Sequence, residues 1–164
     1  MRIPILAAVV VLAFAVPSGA QPTNAELTAP IQKFINSFNK GDAAGAASTH
    51  VSGPELTIVD EVAPFVWRGP KAFQSWSADL DSDAKKNGIT EPMVTLGAVT
   101  RTESSGDSAY VVVPAVFTFK LKGAAMRESA QMTFVLKKAA GNWLIQSWTW
   151  TGPRPQPAGS ALKK

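Results

Sequence analysis

Asp60 is the residue in this chain best placed to do chemistry, because it closes the short apolar run Leu56 to Val59 and is followed by aromatic residues. A carboxylate against a wall of rings loses solvation, its pKa rises, and it becomes able to accept a proton as a general base. The same Asp60-Glu61 pair also fits a turn acid that accepts nearby backbone N–H groups. His50 is the single histidine, so a site of several histidines around a metal is excluded. It falls at the end of a short Ala-rich helix, where an imidazolium is favoured beside free carbonyls, and a role as acid or base at a pocket mouth is the alternative. There is no cysteine, which removes disulfides and thiolate metal sites. No phosphate-binding loop, metal-ligand spacing or nucleophile elbow is present, and no cofactor is expected. Five Trp and eight Phe are the larger signal, since rings must fill a core or line a cavity. Trp76 reads as core before ligand platform, and with Trp148 and Trp150 alternating along one strand, at least one of the two faces a cavity or a second subunit.

The elements that must position these residues follow from periodicity. Leu27, Ile31, Phe34, Ile35 and Phe38 recur at steps of three and four and form one face of a first helix. Thr23 and Glu26 make a capping box at its start, although Pro30 leaves open whether the helix kinks or begins at Thr28. Gly41 and Asp42 end it and cap a second helix over Asp42 to Thr49. Leu56 to Val59 and Phe65 to Trp67 are brief strands, and Gly69-Pro70 and Asn87-Gly88 bracket a third helix with Phe73, Trp76, Leu80 and Ala84 as its buried stripe. Strands are expected over Met93 to Thr102, Ala109 to Lys122, Arg127 to Lys137 and Asn142 to Thr151, paired consecutively and antiparallel. Both faces of the second of these are partly apolar, so helices cover one and a homodimer partner is a candidate for the outer sheet face. Pro114 requires a bulge or a free edge.

Arg2, the apolar run Ile3 to Val16 and the small residues Ser18 and Ala20 read as a signal peptide over residues 1–20, which implies a secreted or periplasmic protein. A run of about 14 residues is short for a membrane span, which needs about 20, so no stable span is expected after its removal. The remaining 164 − 20 = 144 residues suit one domain, expected over residues 21–152, followed by a Pro-rich disordered tail over residues 153–164. Without Arg2 the balance is 15 − 12 = +3, and the basic residues are scattered rather than striped, which argues against nucleic acid as a partner.

The fragments Phe34 to Asp42, Leu56 to Asp60, Trp67 to Phe73 and Gly141 to Ile145, in this order and spacing, resemble the nuclear transport factor 2-like superfamily in its branch with ketosteroid isomerases and SnoaL-like cyclases. The resemblance covers about Leu27 to Thr151. It implies an α+β fold, a cone of three helices packed on a strongly curved antiparallel sheet, with a pocket behind the first helix. It also implies a general base at Asp60, nine residues before Gly69, and oxyanion donors at the positions of Phe34 and of Gln131 or Met132. Neither Phe34 nor Met132 donates a hydrogen bond, and an amide donates less well than a neutral acid, so isomerase chemistry of the family's kind lacks its donors here. The expected function is an exported domain that binds a small apolar or amphipathic molecule through Phe34, Phe38, Trp67, Trp76, Phe117, Gln131 and Trp148. The alternative is a lyase or isomerase that uses Asp60 as its base on a carbonyl compound.

Overall fold

The computed structural model describes residues 21–159. The signal-peptide reading of residues 1–20 lies outside them. Helix α1 (Asn24–Asn39) starts where its capping box sets it: Thr23 accepts from the Glu26 N–H, and the Glu26 carboxylate accepts from the Thr23 N–H at 2.7 Å. The helix therefore runs through Pro30 and does not begin at Thr28. Gly41, at φ 69°, turns the chain out of α1, and Asp42 caps α2 (Ala43–Ala47) by accepting from the Gly45 N–H at 2.8 Å. Strands β1 (Thr57–Val59) and β2 (Val66–Arg68) form a hairpin, and α3 (Ala72–Asn87) ends on Gly88 in the left-handed region.

The remaining chain forms β3 (Ile89–Leu96), β4 (Arg101–Ser105), β5 (Ser108–Leu121), β6 (Ala124–Ala139), β7 (Asn142–Thr151) and β8 (Gln156–Pro157). Together with β1 and β2 they make one curved, open sheet of eight strands in the order β2-β1-β7-β6-β5-β3, with β4 on β5 and β8 on β6. The α+β expectation holds, with three helices among the described residues. The single strand expected over Met93 to Thr102 is instead two, β3 and β4, which pair in succession along β5. Pro114 explains the break. Its carbonyl accepts from the Gly97 N–H, so its ring nitrogen, which has no hydrogen to donate, faces the gap between the two strands. The strand expected to begin at Arg127 begins at Ala124, because Lys122 and Gly123, both at positive φ, make a two-residue turn.

Consecutive antiparallel pairing holds from β4 through β7, but β1 joins β7 in parallel, Ile58 beside Trp148. The tail was expected to lie disordered outside the core, yet Gln156 and Pro157 pair with Arg127 and Met126, and the Ala158 N–H donates to Ala125. They occupy the stretch of β6 that β7 leaves unpaired when it ends at Thr151, where free backbone groups need partners.

The core lies between the helices and the inner sheet face, with Leu27, Ile31, Phe34, Val111, Phe134, Leu136 and Ile145 at most 2% exposed. Asn39 anchors the end of α1 to β3 by exchanging two 2.8 Å hydrogen bonds with the backbone of Val94. Among the described residues no helix is long and apolar enough to cross a membrane.

Candidate functional site

A cavity of about 640 Å³ opens between α1, α3 and the inner sheet face. Rings of Phe34 and Phe38 from α1, Phe73 and Trp76 from α3, Phe117 and Phe119 from β5 and Trp148 and Trp150 from β7 line it, with Met132 of β6. Trp76 and Trp148 meet edge to face at 5.0 Å between centroids, and Phe34 lies 6.1 Å from Trp76.

Both Trp148 and Trp150 face inward because the β6–β7 register shifts between Val135 and Leu136. Trp143 and Ile145 point into the core before the irregularity, and Trp148 and Trp150 point into the cavity after it, so one extra residue moves the inward set from odd to even positions.

Asp60 follows β1 directly and sits at the cavity wall. Its Oδ2 accepts from the Trp76 indole N–H at 2.7 Å and its Oδ1 from the Glu61 N–H at 2.8 Å. Both readings of this residue are thus realised in one geometry, a turn acid that also faces rings. Burial pushes its pKa above the usual aspartate value, and the hydrogen bonds from Trp76 and Glu61 oppose that rise.

Two further carboxyls complete this end of the cavity. Glu128 of β6 is 3% exposed and accepts from the Trp150 indole N–H at 2.6 Å. Glu61 lies at the rim, in hydrogen-bonding contact with the Glu128 carboxyl. Loss of solvation, followed by the negative charge and hydrogen bonding of Glu128 and the charge of Asp60, raises Glu61 to about 7. Glu128 is raised as well, by burial first, against the hydrogen bonds from Trp150 and Glu61. Two carboxyls this close disfavour each other's charged form, and both are raised together.

His50 is not the imidazolium expected beside free carbonyls at a helix end. It is 6% exposed, with Phe34 and Phe73 at 4.9 and 4.8 Å from its ring. Nδ1 lies 3.0 Å from the Ala46 carbonyl, to which it donates, and Nε2 accepts from the Trp148 indole N–H at 3.1 Å. That pattern requires the neutral ring protonated on Nδ1. Burial lowers its pKa to about 4. It holds Trp148 in place beneath the cavity wall.

Of the residues selected from sequence, Asp60, Phe34, Phe38, Trp76, Phe117 and Trp148 converge on the cavity. Trp67 does not: it is buried against α3, where its indole N–H donates to Asp79 at 2.8 Å. Gln131 does not either. It is exposed, because Glu128, Ala130, Met132, Phe134 and Leu136 form the inward row of β6 and Gln131 belongs to the other. Glu128 is the participant that the sequence reading left out, whereas Glu61 was read only as a turn acid beside Asp60 and Trp150 as one of two rings of which at least one faces a cavity or a second subunit. The signal for Glu128 was an acid in step with Met132, Phe134 and Leu136, an inward row that is otherwise apolar. Among the described residues no three His, Asp or Glu side chains gather as metal ligands.

A curved open sheet, helices closing its inner face and an acid just after the first short strand define a protein of the nuclear transport factor 2-like class. Residues 27–150 match the SnoaL-like domain, and the chain belongs to that family. The fold is similar to that of a nuclear transport factor 2-like superfamily protein from Salmonella enterica subsp. enterica serovar Typhimurium, with a TM-score of 0.65 at 17% identity over 83% of this chain and 94% of that one. A ketosteroid isomerase-like protein from Erwinia carotovora atroseptica gives 0.61 at 18% identity, over 80% of this chain and 96% of that one. A hexachlorocyclohexane dehydrochlorinase, LinA type 2, gives 0.65 at 14% identity, over 85% and 92%. At such identities the likeness is one of fold. No curated protein matches significantly.

Proposed function

We propose that this SnoaL-like domain is exported and binds a small apolar or amphipathic molecule in the cavity behind α1. The observation that carries the reading is the cavity of about 640 Å³, which falls in the range of small-molecule sites and joins a ring-lined wall to one cluster of polar groups. The neutral fluorophore N-phenyl-1-naphthylamine tests it. Binding should shift its emission to the blue, and Ala84→Trp, which places a ring at the half-buried lining position Ala84, should weaken binding by at least about tenfold. Absence of binding, or binding indifferent to Ala84→Trp, overturns the reading.

A second reading is a lyase or isomerase acting on a carbonyl compound with Asp60 as base. Its support is the Glu61–Glu128 pair, in which Glu61 is raised to about 7 and keeps a neutral fraction at that pH, in the same cavity as Asp60. A neutral acid can donate to a developing oxyanion, the role that Phe34 cannot fill. Asp60→Asn should then lower kcat with little change in substrate affinity, because only an interaction made in the transition state identifies a catalytic residue.

A further inference from the structure

We propose that the molecule held in this cavity is an amphipathic organic cation, an amine or quaternary ammonium whose charged nitrogen sits at the Asp60, Glu61 and Glu128 end and whose apolar body lies among the rings. The inference rests on the binding reading above and adds the chemical class of the ligand.

The distribution of charge is the first argument. The chain is basic, with 16 Lys and Arg against 12 Asp and Glu, yet five of those 12 acids line this one cavity: Asp60, Glu61, Asp81, Asp83 and Glu128. Among the described residues no Lys, Arg or His lines it. The three ion pairs among the described residues use Glu91, Glu103 and Asp107, none of which is at the cavity. A low-dielectric cleft lined by one sign of charge focuses its field and concentrates ligands of the opposite sign.

The second argument is the state of Glu128. Its side chain is buried beside the cavity, the Trp150 N–H donates to it, and among the described residues no ion pair reaches it. Burying a carboxyl without a cation beside it is costly. A ligand cation supplies the missing charge directly.

The walls then choose among cations. The cavity is lined by aromatic rings, Phe34, Trp76, Trp148 and Trp150 among them, and the π-system of such rings attracts alkylammonium groups. A hard metal ion wants six or more oxygen ligands, and these carboxyls do not gather in that way. An anion would face five acids.

Three probes of nearly equal shape test the proposal: 3-hydroxyphenyltrimethylammonium, its uncharged isostere 3-tert-butylphenol, and the anion 3-hydroxybenzenesulfonate. Affinities are measured by calorimetry on the mature protein at fixed ionic strength. The ammonium should bind at least about tenfold more tightly than the phenol, and the sulfonate most weakly. Glu128→Gln, which keeps an acceptor for Trp150, should remove most of that preference and leave phenol affinity within about threefold. Glu61→Gln, at the exposed rim, should weaken ammonium binding in the same direction and serves if Glu128→Gln fails to fold. Equal affinity for ammonium and phenol overturns the cation proposal while leaving the binding reading intact. Failure of all three probes to bind at about 10 mM overturns both.

Discussion

Acidifying the protein from pH 8 to pH 4 should remove stability through His50. In the unfolded chain this imidazole titrates near 6.5, and in the fold it is held to about 4 by burial, against the pull of its hydrogen bond to Ala46. Between these values the unfolded state binds a proton that the native state refuses, so stability is fully present above about 6.5 and is lost as pH falls toward 4. The shift of 6.5 − 4, about 2.5 units at 1.36 kcal/mol each, gives a total near 3 kcal/mol, of which about 2 kcal/mol is gone by pH 5. Asp60, Glu61 and Glu128 act in the opposite sense, because carboxyls with raised pKa values favour the fold at low pH and oppose it as pH rises through them. The His50 contribution must therefore be isolated by difference. Urea unfolding of the natural protein and of His50→Gln, whose amide oxygen can still accept from Trp148, is followed from pH 4.5 to 8. The advantage of the natural protein should shrink by about 2 kcal/mol between pH 8 and pH 5. As the chain has one histidine, its ring resonances in NMR report the native pKa without ambiguity. A native value near 6.5, or a difference between the two proteins that does not change with pH, would refute a buried neutral imidazole.

Trp76→Phe keeps most of the ring but removes the donor to Asp60 Oδ2, so the Asp60 pKa should rise further and stability should fall by about 1–3 kcal/mol, read from carboxyl-carbon NMR titration and urea unfolding. In the natural protein the same titration should place Asp60 above 3.8, and a depressed value would end its candidacy as a general base. Gly88→Ala should cost about 1 kcal/mol, because the position requires φ 72° and a Cβ there would lie 3.1 Å from the Lys122 side chain; an unchanged unfolding midpoint would contradict that cap. Protein recovered outside the cytoplasm after expression of the full sequence should begin at or near Gln21, with Edman sequencing as the check, and an intact Met1 would refute cleavage.

What the sequence determined by itself is the set of features governed by local rules. The capping box at Thr23, the Gly41-Asp42 break, the stop at Gly88 and the inward row of α1 depend on backbone dihedral preferences and 3.6-residue periodicity, which neighbours in the chain dictate. The order of those elements was enough for the fold class, and Asp60 and five of the ring positions followed from it. Tertiary structure decided everything that turns on parity, register or long-range proximity. One irregularity between β6 and β7 turns both Trp148 and Trp150 inward, and strand parity sends Gln131 to the solvent and brings Glu128 into the cavity. The interrupted edge opposite Pro114 splits one expected strand into two, and the unpaired stretch of β6 captures the tail. His50 carries an ordinary helix-end signal in sequence, yet Phe34, Phe73 and Trp148, up to 98 residues away in the chain, bury it and fix it as neutral. Charge states belong to the assembled site, because desolvation and the approach of Glu61 to Glu128 exist only when β6, β7 and the turn after β1 are brought together.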